Sequence, residues 1–265
     1  MLFSPMPLNP KIAQILEMVA SANRPPYHTL APQQARAAYA MSAQILDIAP
    51  LPMFSVEDLR IPTRDGDTIG VRLYQPVEPS WAEPSAALMY LHGGGFTVGS
   101  VSTHDALCHK LAHDAGCAVV SVDYRLAPEH KFPVAVNDAF DALQWLAREA
   151  PTFGLDPARL AVGGDSAGGT LTIVCAVLAR DAGIDLRLQL LIIYPGTSAW
   201  QKSASHARLA DGYLLSGETI QWFFAQYLCD DRDDWRFAAR CGQRRAGLQG
   251  RGAGVDRGGG SRSAL

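Results

Sequence analysis

Long apolar runs, paired cysteines and a strong charge of one sign are all missing from this sequence. No run approaches the length of a bilayer crossing, so no membrane span is expected. Residues 1–10 have neither a basic start nor a long apolar stretch, and no secretory signal is expected. A net charge of −3 offers no attractive field to nucleic acid or to an anionic membrane surface, and neither is expected as a partner. The five cysteines (Cys108, Cys117, Cys175, Cys229 and Cys241) are odd in number, and none sits in a Cys-x-x-Cys pair. That pattern predicts reduced thiols in a cytoplasmic protein, without a disulfide framework. His, Asp and Glu show no spacing that suits metal ligands, so neither a metal nor another cofactor is expected. No internal repeat is present, and no motif specifies an oligomer.

What is present fits one large α/β domain with an appended cap: 265 residues, 48% hydrophobic and 18% charged. Ile12, Ile15, Leu16 and Val19 recur with helical spacing, and a second amphipathic stretch covers 33–48, after Pro25-Pro26. Segments 56–62 and 68–74 alternate around Arg64-Asp65-Gly66-Asp67, which predicts a hairpin. Strands are then expected at 86–91, 117–122, 160–163 and 188–194, with helices at 134–149, 167–182 and 217–228. Strands apolar on both faces and separated by helices imply a mostly parallel sheet covered on both sides.

The stretch Gly164-Asp165-Ser166-Ala167-Gly168 lies between an apolar strand and an apolar helix. This is the setting of a nucleophile elbow, a turn so tight that small residues must flank the serine, whose hydroxyl is then presented above the sheet. A serine needs a base to take its proton, and the tetrahedral intermediate needs donors aimed at its oxyanion. The N–H of Ala167 is one candidate donor. His92-Gly93-Gly94-Gly95, directly after the strand at 86–91, is the loop expected to supply the others.

With Gly99-Ser100, Thr103-His104-Asp105, Asp123-Tyr124-Arg125-Leu126-Ala127-Pro128-Glu129-His130, Phe132-Pro133, Asp138 and Tyr194-Pro195, these motifs resemble the hormone-sensitive-lipase-like carboxylesterases. Asp211-Gly212-Tyr213 resembles a cap element of the same family. The resemblance covers about 1–238 and implies the α/β-hydrolase fold, with cap helices in 1–50, a core over 51–195 and a second cap segment over 196–238. It implies hydrolysis of small short- to medium-chain carboxylic esters, with Ser166 as nucleophile and Gly94, Gly95 and Ala167 as oxyanion donors. The family's histidines at His92, His104 and His130 are loop and packing residues, and His28, His109 and His113 read as solvated or helix-surface residues. Phe96, Trp200, Trp222, Phe223 and Tyr227 are candidates to line the pocket, or simply to pack.

The family's acid and histidine follow the serine, but here only His206 does, and it falls in the cap-like region. Asp256 lacks the family's Asp-Pro setting, so no triad acid or base is identified. Residues 239–265 hold eight glycines, six arginines and one acidic residue, and cannot offset their ordering entropy. Two readings of that stretch stay open: a genuine flexible tail, or a reading frame shifted near 237–239. On either, the family's C-terminal strands and helix are expected to be absent, with strand 188–194 left as a sheet edge. The expected function is a serine carboxylesterase whose chain here is truncated and lacks its base. The alternatives are a non-catalytic binder of a small ligand and a peptidase, the latter disfavoured by the resemblance.

Overall fold

The computed structural model describes residues 8–184, 186, 190–199 and 203–229. Trp200, Cys241, Asp256 and the stretch 239–265 lie outside those residues, and so does the region that bears on the expected absence of the family's C-terminal strands and helix. Helices α1 (Pro10–Ser21) and α2 (Pro32–Leu46) open the chain. Strands β1 (Ser55–Pro62), β2 (Thr68–Gln75) and β3 (Ser85–Leu91) follow, then helix α3 (Asp105–Ala115) and strand β4 (Ala118–Asp123). Next come α4 (Val134–Glu149), β5 (Leu155–Asp165), α5 (Ala167–Ala182), β6 (Leu190–Ile193), α6 (Ala204–Arg208) and α7 (Gly217–Tyr227).

The strands form one six-stranded sheet in the order β1-β2-β4-β3-β5-β6. β1–β2 and β2–β4 are antiparallel, and the remaining pairs are parallel. The central strand β3 shows why both faces must be covered: Ala87 through Leu91 are all buried. Met89 and Leu91 pack with α4 and α5, while Leu88 and Tyr90 join Cys108 and Ala112 of α3 on the other face. Among the described residues β6 has β5 as its single neighbour, and Ile192 is 40% exposed.

Helices α4 and α5 have the bounds that their apolar spacing predicts. Helix α3 was not anticipated, because its buried residues Ala106, Cys108 and Ala112 are small and its apolar positions are interrupted by His109, Lys110 and His113. β5 begins well before the apolar run at 160–163, where the pairing shifts register between Ser85 and Ala87 of β3.

Two arginines lock the loops that end on the site. The carboxylate of fully buried Asp138 on α4 accepts hydrogen bonds from the Arg125 backbone N–H and from its Nε and Nη2, fixing the turn after β4. Arg36 on α2 donates to the carbonyls of Thr97 and Ala127 and pairs with Glu129, tying the N-terminal helices to the core.

Candidate active site

Ser166 sits between the end of β5 and the start of α5 with φ 50° and ψ −114°, a conformation that L-residues adopt only when the surroundings impose it. The surroundings are backbone. A Cβ on Gly164 would lie 2.3 Å from the Leu91 carbonyl oxygen, and one on Gly168 only 1.8 Å from it. The Ser166 N–H donates to Ile193 O at 2.9 Å, which pins the elbow to β6. Its side chain is half-buried, and its hydroxyl has no hydrogen-bond partner among the described residues.

Across from it, the chain after β3 turns sharply at Gly94 (φ 120°) and Gly95 (φ 56°), and Thr97 and Val98 donate back to the Gly94 carbonyl. The N–H groups of Gly94, Gly95 and Ala167 have no acceptor among the described residues and remain available. Phe223 of α7 lies over this loop: a Cβ on Gly95 would come 2.3 Å from its ring. Trp222 lies beside Phe223 with ring centroids 5.2 Å apart and the planes tilted by 59°. Phe96 is different, buried and stacked 3.9 Å from Tyr227, so both serve packing.

Asp165, the residue before the serine, joins the two halves. Its Oδ1 accepts from Gly93 N at 2.8 Å and Tyr90 OH at 2.9 Å, and His104 Nε2 stands 3.3 Å away. Burial pushes this carboxyl up, but the contacts from His104, Tyr90 and Gly93 outweigh it and hold the group below its usual range. The carboxylate therefore stays charged and fixes the first N–H of the glycine loop relative to the nucleophile. Asp165→Asn removes that charge and turns an N–H₂ or a weaker carbonyl toward three donors. We expect the rate of covalent capture at Ser166 to fall by about 10²-fold, on the scale of losing one oxyanion donor. Tyr90→Phe, which leaves the Gly93 bond in place, should cost less than about tenfold. Equal rates in Asp165→Asn and the parent would remove the loop-fixing role.

The seven histidines all fall within the described residues, and none reaches Ser166. His92 is fully buried and stacked 4.3 Å from Tyr124, and burial pushes its pKa down to about 3. Its Nδ1 faces the Gly93 carbonyl, while Nε2 has no partner among the described residues. His104 was expected to be a packing residue, but it faces the Asp165 carboxylate. His28 and His109 were expected at the surface. Instead His28 bridges Thr219 and Glu218 of α7, and His109 is held by Leu51 O and the Tyr74 ring. His113 is exposed beside Asp114, His130 lines a separate cleft, and His206 contacts Ser203 on exposed α6. Sequence reasoning also missed Tyr39 on α2. Burial first and Asp165 second raise the pKa of its phenol, and the same two causes act on Tyr194. Tyr194 follows β6 with φ 33°, 74% exposed at the mouth of the elbow.

The described cysteines Cys108, Cys117 and Cys175 are free thiols. Among the described residues no group of three or more His, Cys, Asp or Glu side chains is placed to hold a metal, and no helix is long and apolar enough to cross a membrane.

Residues 88–250 match a protein family described as having the alpha/beta hydrolase fold. The chain belongs to that family. This α/β hydrolase is 42% identical over 244 residues to an ethyl acetate hydrolase of Pseudomonas putida, covering 89% of this chain and 77% of the relative. It is 43% identical to the carboxylic ester hydrolase LipN of Mycobacterium tuberculosis, where the match covers 72% of this chain and 51% of the relative. A solved hyperthermophilic esterase from Pyrobaculum calidifontis superposes with a TM-score of 0.81 at 38% identity, over 88% of this chain and 74% of that one. The lineage of this α/β hydrolase is that of the carboxylic-ester hydrolases.

Proposed function

We propose that the chain is built as a serine carboxylesterase for small, short- to medium-chain esters, in which Ser166 forms an acyl-enzyme. The observation that supports this reading is the strained backbone of Ser166 at the elbow, together with the N–H groups of Gly94, Gly95 and Ala167, which have no acceptor among the described residues. In the reaction Ser166 Oγ bonds to the ester carbonyl carbon, its proton passes through water to the departing alkoxide, and the carbonyl oxygen becomes an oxyanion held by those donors. Collapse expels the alkoxide, and water later releases the acid. The similarity to the ethyl acetate hydrolase of P. putida supports a small ester as substrate. The odd number of cysteines, with no Cys-x-x-Cys pair, supports a reducing, cytoplasmic setting.

The experiment is capture by a fluorophosphonate, which reacts with a serine in an oxyanion cradle and leaves a stable adduct. Peptide mass spectrometry of the 265-residue chain is expected to place the adduct on Ser166, with none in Ser166→Ala. An adduct on another residue, or none after prolonged excess probe, ends the esterase reading.

A second reading is a binder of small ligands that does not turn them over. It is favoured by one observation, that all seven histidine rings are placed away from Ser166. Saturable ester binding that survives Ser166→Ala, without adduct or product, distinguishes it.

A further inference from the structure

A cleft of about 680 Å³ opens at the β1–β2–β4 side of the sheet, apart from Ser166. Its floor is a row of cross-strand neighbours: Arg60 on β1 pairs with Gly70 on β2, which pairs with Asp123 at the end of β4. Gly70 leaves the middle of the row empty. A Cβ placed there would be 3.9 Å from both Arg60 Nη1 and Asp123 Oδ2, so cation and anion point into the same gap. They do not close it, since no ion pair joins them.

Both groups have bonding capacity to spare. Arg60 Nη2 donates to Thr68 O and Oγ1 at 2.7 Å, while Nη1 has no acceptor among the described residues. Asp123 Oδ1 receives one long bond, 3.4 Å from Val101 N, and Oδ2 receives none. Arg60 and Asp123 are both exposed to the cleft, and the partial loss of water around the Asp123 carboxyl raises its pKa despite Arg60 and Arg72 nearby. The other large cations of the cleft are committed, Arg36 to Glu129 and Arg125 to Asp138. Ala40 and Leu126 supply an apolar wall.

We propose that this cleft binds a small zwitterion of the α-amino-acid type, its carboxylate on Arg60, its ammonium on Asp123 and its side chain along Ala40 and Leu126. A carboxylate and an ammonium on one carbon present both charges within a single hydrogen-bonded span, which matches two opposite charges facing one gap. Gly99 and Ser100 form the far wall, so an occupied cleft touches the chain that continues from the glycine loop.

The test is a ligand-observed NMR titration of the 265-residue chain with L-leucine. Saturation in the millimolar range is expected. Leucinamide, which lacks the carboxylate, and 4-methylpentanoate, which lacks the ammonium, should each bind at least about tenfold more weakly. Arg60→Gln and Asp123→Asn should weaken L-leucine by a similar factor. Gly70→Val fills the gap without changing charge and should abolish binding while circular dichroism stays that of the parent. No saturation by about 20 mM, equal binding of either single-charge analogue, or full binding by folded Gly70→Val overturns the proposal. Ser166→Ala should bind L-leucine as the parent does, which keeps this result separate from the esterase reading.

Discussion

The 265-residue chain is expected to hydrolyse p-nitrophenyl acetate with a kcat about 10⁴–10⁶ below that of an esterase whose serine has its base. The reason is the proton on Ser166 Oγ. Attack on the ester requires that proton to go to a positioned acceptor, and each histidine that could take it is held elsewhere. His104 is the nearest in the network, but its Nε2 points at Asp165 and its Nδ1 at Thr103 Oγ1. His92 is tied to Gly93 O, and His206 lies on an exposed helix with its ring on Ser203. What remains is the cradle of N–H groups, which lowers the barrier without moving a proton. Residues that act as a unit are not additive, so Ser166→Ala should lower the residual rate by less than about tenfold. The check is steady-state hydrolysis by parent and Ser166→Ala side by side. A parent kcat in the ordinary range of about 1–10³ s⁻¹ that Ser166→Ala destroys would show that a base reaches the serine after all.

The parts of this molecule legible in the sequence are those whose cause is local. Arg64-Asp65-Gly66-Asp67 announces a turn, and β1 and β2 flank it. The small residues from Gly163 to Gly169 announce the elbow, because a side chain there would meet backbone. Helices α4 and α5 are long enough for their apolar spacing to show. What stayed hidden depends on convergence. Nothing in the chain order says that Tyr90, Gly93 and His104 meet on one oxygen of Asp165. Nor does it say that Tyr39 on α2 comes close enough for that charge to act on it. Arg60 and Asp123 face one gap only because β2 lies between β1 and β4 with Gly70 in register. Helix α3 was lost for a different reason: Ala106, Cys108 and Ala112 bury a face too small to show as a hydrophobic stripe.

Gly168→Ala is expected to cost the chain its native fold. At this position the start of α5 crosses the end of β3 so closely that the new Cβ would lie 1.8 Å from Leu91 O, 2.5 Å from Leu91 C and 2.7 Å from His92 O. All three atoms are backbone, so no side chain can swing aside. Either α5 or the end of β3 must move. Moving α5 breaks the packing of Leu171, Val174 and Cys175, and moving β3 displaces the glycine loop that begins at His92. Backbone shifts of this kind fall in the exceptional class, above about 4 kcal/mol, against a total stability of about 5–15 kcal/mol. Gly116→Ala is the comparison that isolates the cause. Gly116 has φ +59° but open space around it, so alanine there meets only the left-handed backbone penalty of about 1–2 kcal/mol. Thermal unfolding followed by circular dichroism should show Gly116→Ala a few degrees below the parent. Gly168→Ala should melt more than about 10 °C lower or never reach a folded state. If the two variants melt together, the crossing of α5 over β3 is not what holds the elbow, and the strain at Ser166 must be supported by β6 through Ile193 O instead.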